Sequence, residues 1–148
     1  MKVFIGGDHA GVELRAQLKK AMETWGHDVV DLGTASHESV DYPDFAVAVG
    51  ERVAKGEGRG VLVCGTGIGV DIAANKIPGV RSARVTDTYS ARMSRMHNDA
   101  NVITLGARVT GDALAEEILK VWLDTPFEGG RHQRRVDKLN ALDSKRSK

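Results

Sequence analysis

A chain of 148 residues, 41% hydrophobic and 28% charged, is long enough to bury a core and too apolar to stay disordered. Its formal net charge of +1 gives no bulk attraction to nucleic acid or to an anionic membrane. One cysteine excludes an internal disulfide and a cysteine-built metal site, and the absence of a membrane-length apolar run or a basic-plus-apolar leader makes the cytoplasm the expected location.

Residues 2–6 read as a buried strand closed by Gly6-Gly7, with Asp8 and His9 at its carboxyl end. From Ala10, the spacing of Val12, Leu14, Leu18, Ala21, Met22 and Trp25 predicts an amphipathic helix stopped by Gly26. Residues 28–32 are a second strand, followed by a polar loop that ends in Asp41-Tyr42-Pro43. Pro43 suits the first turn of a helix that Phe45, Val49 and Val53 continue. A third strand covers 61–64 and ends in Cys64. Gly65, Gly67 and Gly69 then alternate before a short helix carried by Ile72, Ala73 and Ala74, which Pro78-Gly79 ends. Residues 81–85 give a fourth strand, 87–97 a helix, and 102–105 a fifth strand closed by Gly106. A helix over 111–124 shows Leu114, Ile118 and Trp122 on one face. Gly129-Gly130 breaks the chain before a basic helix, about 129–148, with Val136, Leu139 and Leu142. Residues 131–148 carry seven Lys or Arg against two Asp or Glu, a surplus of +5 that leaves the remainder at −4. Strands alternating with helices indicate one α/β domain over 1–148 with a mostly parallel five-stranded sheet, and such sheets hold ligands beyond their carboxyl edge.

The candidates for chemistry fall at that edge. Glycines at 65, 67 and 69 let several backbone N–H groups converge, as in a phosphate nest or an oxyanion hole; a dinucleotide loop or a packing turn is the alternative. Against a dinucleotide, the third glycine of GxGxxG falls on Val70. Cys64 is either a small core residue or a thiol activated by the adjacent helix start. No histidine pair has the spacing of a zinc motif, so no metal is expected. Arg131 and Arg135 share a helical face suited to bidentate phosphate binding, with a solvated basic tail as the alternative, and Arg108 offers a further cation.

Seven collinear segments resemble the type B ribose-5-phosphate isomerases, a family that includes the galactose-6-phosphate isomerase subunits. They are residues 7–11, Asp41-Tyr42-Pro43, the run from Cys64 to Gly69, residues 72–76, the run from Ser94 to Val102, residues 105–108, and the run from Gly129 to Arg135. The resemblance implies a Rossmann-like three-layer sandwich, a homodimer or dimer of dimers with its active site at the subunit interface, no cofactor, and aldose–ketose isomerisation through a cis-enediolate. It makes Cys64 the base. Thr66 and the amides of Gly65, Gly67, Ile68 and Gly69 would hold the enediolate oxygen. His97 would open the furanose ring, and Asp8, His9, Tyr42 and Asn98 would contact the sugar. Arg108, Arg131 and Arg135 would take the phosphate, the last two from the partner. Asp71 departs from the small polar residue that the resemblance leads one to expect and is the candidate for selecting the sugar. Val70 stands where some relatives carry a carboxylate base, so Cys64 keeps that role. Ribose 5-phosphate is the expected substrate, with erythrulose, allose or galactose phosphate as the alternative. A nucleotide-binding regulatory module is the remaining reading, and the glycine spacing stands against it.

Overall fold

The computed structural model describes residues 1–145. Strands and helices alternate through most of the chain: β1 (Lys2–Gly7), α1 (Val12–Thr24), β2 (Asp28–Asp31), α2 (Tyr42–Ala54), β3 (Arg59–Cys64), α3 (Ile68–Asn75), β4 (Ser82–Arg84), α4 (Thr88–Met96), β5 (Val102–Gly106), α5 (Asp112–Asp124) and α6 (Arg131–Ala141). The strands form one all-parallel sheet in the order β2-β1-β3-β5-β4. The last three residues of the expected basic helix lie outside the described residues.

The central strands are apolar at consecutive positions because both faces are covered. Val3, Ile5, Val61, Val63, Ile103 and Leu105 pack with α1, α4 and α5, where Leu18, Met22, Ile118 and Trp122 are fully buried. Phe4, Leu62, Cys64 and Val102 face the other way, against Ala46, Val49 and Val53 of α2 and Val70 and Ala74 of α3. The result is the three-layer α/β sandwich that the alternation of elements indicates. Among the described residues no helix is long and apolar enough to cross a membrane.

Three sequence expectations are corrected here. Helix α3 begins at Ile68, four residues before Ile72, because the left-handed Gly67 (φ 78°) turns the chain straight from loop into helix. Leu114 is 43% exposed; α5 instead buries Ala115, Ile118, Leu119, Trp122 and Leu123, a face rotated from the expected one. On α6 only His132 and Val136 are buried, while Leu139 and Leu142 remain exposed.

Candidate active site

Strand β1 lies between β2 and β3, so the connections leaving β1 and β3 diverge above the carboxyl edge and open a crevice there. Asp8 and Cys64 end these two strands. The buried Asp8 carboxylate accepts the Ala10 amide at 3.1 Å and fixes the turn that leads into α1. His9 follows, and its Nδ1 accepts the Val40 amide at 3.2 Å. That bond leaves the ring proton on Nε2, which is free to donate.

Cys64 is 5% exposed, and the amide of Gly67 donates to its sulfur at 3.1 Å. The Thr66 hydroxyl accepts the Ile68 amide at 3.2 Å and closes the loop on itself. Gly67, as N-cap of α3, offers no side chain, so the half-buried amide of Gly69 in the first helical turn is left for a ligand. Conformation favours glycine at Gly67, and close approach favours it at Gly69 and, more weakly, at Gly65. A Cβ on Gly69 would stand 2.4 Å from the Tyr42 ring, and one on Gly65 would stand 3.1 Å from an Arg108 nitrogen. Tyr42, Arg108, Cys64 and the amide loop therefore form one constellation with Asp8 and His9. Beside it, a cleft of about 280 Å³ opens between α1 and the segment after β5, with Arg108 on its wall. Thiol, amides and guanidinium together suit proton abstraction next to an oxygen that becomes an anion.

Asp71 points elsewhere. Its Oδ1 accepts the hydroxyls of Ser82 at 2.7 Å and Thr104 at 3.3 Å. Thr104 is fully buried on the same face of the sheet as Cys64, so Asp71 satisfies a hydroxyl that would otherwise be stranded. Burial pushes the Asp71 carboxyl above its ordinary value, against the hydrogen bonds from Ser82, Thr104 and Asn75 and the charge of Arg84, which pull it down. The folded chain therefore holds this proton more tightly than the unfolded chain does. The stability that this provides is present at low pH and is lost as pH rises through the raised value. Compared with Asp71→Asn, the native protein should lose thermal stability as pH rises from the acid range to neutrality. The carboxyl is half-exposed, so the relative change should stay within about 1 kcal/mol, roughly 2–4 °C. Parallel melting curves across that range would disprove it.

The remaining candidates gather at the opposite edge. Helix α4 runs antiparallel to the strands, so His97 at its C-terminus and the exposed Asn98 lie at the amino end of β5. A five-residue strand separates that edge from Cys64 by roughly 17 Å. Gly129 and Gly130, both with positive φ, turn the chain so that α6 begins beside His97. There His97 and His132 stack with centroids 4.1 Å apart and planes at 13°. Each Nε2 is 3.9 Å from Glu128 Oε2, and Arg131 Nε is 3.5 Å from His132 Nε2. Arg135 follows one turn on. Burial first, then His97 and the guanidiniums of Arg131 and Arg135, hold His132 below its ordinary value, against the pull of Glu128. The ligand atoms of His97, Glu128 and His132 lie within 4.8 Å of one another. Parallel rings this far apart do not aim both nitrogens at one ion, and the flanking guanidiniums favour an anion over a cation.

The structure thus joins Asp8, His9, Tyr42, Cys64, Gly65, Thr66, Gly67, Ile68, Gly69 and Arg108 at one edge. His97, Asn98, Arg131 and Arg135 stand at the other, and a single copy does not bring the two groups together. Sequence reasoning passed over His132, because a histidine inside a basic run carries no signal until the fold lays it on His97.

The sequence model of the Ribose/Galactose Isomerase family matches residues 3–139. The ribose-5-phosphate isomerase B of Escherichia coli is 44% identical over 147 residues, covering 99% of both chains. The D-erythrulose-4-phosphate isomerase of Pectobacterium atrosepticum is 42% identical over 94% of this chain and 93% of its own. The structure of Clostridium thermocellum ribose-5-phosphate isomerase B superposes with a TM-score of 0.96 at 50% identity, over 98% of this chain and 99% of that one.

Proposed function

The chain belongs to the ribose/galactose isomerase family, and within it we propose that it interconverts ribose 5-phosphate and ribulose 5-phosphate. The observation that carries this reading is the Gly67 amide aimed at the Cys64 sulfur, beside the open Gly69 amide at the start of α3. A thiolate held this way takes the proton from C2 of the open aldose. The electron pair of that bond becomes the C1–C2 double bond, and the carbonyl electrons move onto O1, where the amides meet the new charge. The O2 proton then passes to O1 and the thiol returns its proton to C1, so that C2 becomes the carbonyl carbon of the ketose. The chain's own groups supply the base and the anion hole.

Before this, the furanose must open. His97 of a second copy protonates the ring oxygen while the C1 hydroxyl passes its proton to water, which leaves the C1 carbonyl. Arg131 and Arg135 come from the same second copy and join Arg108 on the phosphate, while Asp8, His9, Tyr42 and Asn98 hold the hydroxyls. The site is complete in a homodimer, alone or as half of a dimer of dimers. The two separated clusters in one chain support this arrangement.

The similarity to an erythrulose-phosphate isomerase keeps a shorter substrate in contention. One carbon more or less in a fitted site is worth about 10–200-fold. In a panel of ribose, erythrulose, allose and galactose phosphates, ribose 5-phosphate should show kcat/KM at least about tenfold above the rest. A four- or six-carbon phosphate turning over faster would replace the pentose in this reading.

A further inference from the structure

The peptide bond between Thr66 and Gly67 is held at both ends. Its N–H donates to the Cys64 sulfur at 3.1 Å. Its C=O accepts from Arg84 Nε, on the edge strand β4, at 2.9 Å. The bond is trans, so carbonyl and amide point in opposite directions. One planar unit therefore connects the Arg84 guanidinium to the thiol. Gly106 at the end of β5 lies flat against this unit: a Cβ there would stand 2.5 Å from the Thr66 carbonyl carbon.

Such a peptide has an alternative orientation. Gly67 sits at φ 78° and, as glycine, populates either sign of φ at low cost. Rotating the plane would point the Thr66 carbonyl oxygen at the sulfur and destabilise a thiolate. A charged donor on the far side adds to the preference for the observed orientation, because it bonds the carbonyl only when the amide faces Cys64. It also draws electron density towards the carbonyl, which strengthens the N–H as a donor.

We propose that Arg84 is a positioning residue, which holds the Thr66–Gly67 peptide with its amide on the Cys64 sulfur and so keeps the thiolate ready. Its catalytic consequence rests on Cys64 being the base; its effect on the thiol does not. The other charged or polar groups around this pocket are Asp8 and His9 after β1, Tyr42 at the head of α2, Asp71 on α3 and Arg108 against Gly65. None of them bonds the Thr66 carbonyl. Asp71 feels the charge of Arg84, so it needs its own control.

The experiment compares Arg84→Met, which keeps the bulk and loses the donor, with Arg84→Lys, which keeps a cationic donor. Cys64 is the only thiol, so its ultraviolet thiolate absorbance, with Cys64→Ala as blank, reads it directly. Arg84→Met should need a higher pH to reach half-maximal thiolate, and the rising limb of kcat/KM should move the same way. Near neutrality kcat should fall about 10–100-fold with KM within about twofold, the loss expected of one charge-assisted bond. Arg84→Lys should recover most of both signals, and Asp71→Asn should not imitate the defect. An unchanged thiolate titration in Arg84→Met overturns the proposal, whatever happens to turnover. So does Asp71→Asn reproducing the shift. Full turnover in Cys64→Ala would instead remove the base assignment and leave the thiolate result standing.

Discussion

Replacing Cys64 by alanine should lower kcat about 10²–10⁴-fold while leaving binding of ribulose 5-phosphate within a few-fold. The binding half of this expectation follows from where the contacts are. Phosphate and hydroxyl groups are assigned to arginines, Asp8, His9, Tyr42 and Asn98, and none of these rests on the thiol. The rate half follows from chemistry. A proton alpha to a carbonyl is weakly acidic, and without a base in contact with C2 the amide loop has no developing charge to stabilise. Residual activity from the loop and the arginines alone would lie far below the native rate. The substitution also strips the Gly67 amide of its acceptor, which costs about 1–3 kcal/mol when such a donor stays dry. A melting curve must therefore accompany the assay. A folded variant that turns over within about tenfold of the native enzyme would exclude Cys64 as the base.

Much of this was legible in the sequence because it depends on local rules. Continuous apolar runs such as residues 61–64 mark strands covered on both faces, and Pro43 and Gly129-Gly130 mark a helix start and a break. What stayed hidden depends on strand order and on close approach. Gly69 looked like loop because glycine is a poor helix former, yet it lies inside α3, since the Tyr42 ring fills the space a side chain would need. The sequence leaves Asp71 free to meet substrate because its partners, Ser82 on β4 and Thr104 on β5, become its neighbours only when β5 is inserted between β3 and β4. Arg84 was invisible for the same reason: nothing in its own segment says that the Thr66 carbonyl lies within reach. The separation of His97 from Cys64, by contrast, was available in principle, since a helix that returns antiparallel to the strands must end at the amino edge.

That separation leads to the second large effect. Cys64→Ala and His97→Ala proteins should each be nearly inactive, yet a mixture allowed to exchange subunits should regain about a quarter of native activity. In the proposed two-fold dimer each site would take its thiol and amide loop from one copy and its histidine and α6 arginines from the other. A mixed dimer then holds one site with both lesions and one with neither. Random exchange of equal amounts makes half of the dimers mixed, and half of their sites are intact. A site built within one chain gives the opposite result, because every site in every mixture carries one lesion and mixing restores nothing. The measurement also separates a shared site from simple stabilisation by a partner, which would raise the melting temperature of the mixture without raising its rate. The same logic extends to Arg131 and Arg135. Both lie on α6 beside His97, so Arg135→Ala should complement Cys64→Ala and fail to complement His97→Ala. Rescue of His97→Ala by Arg135→Ala would place the histidine and the arginine in different halves of the site, which the stacking of His97 on His132 of α6 does not allow.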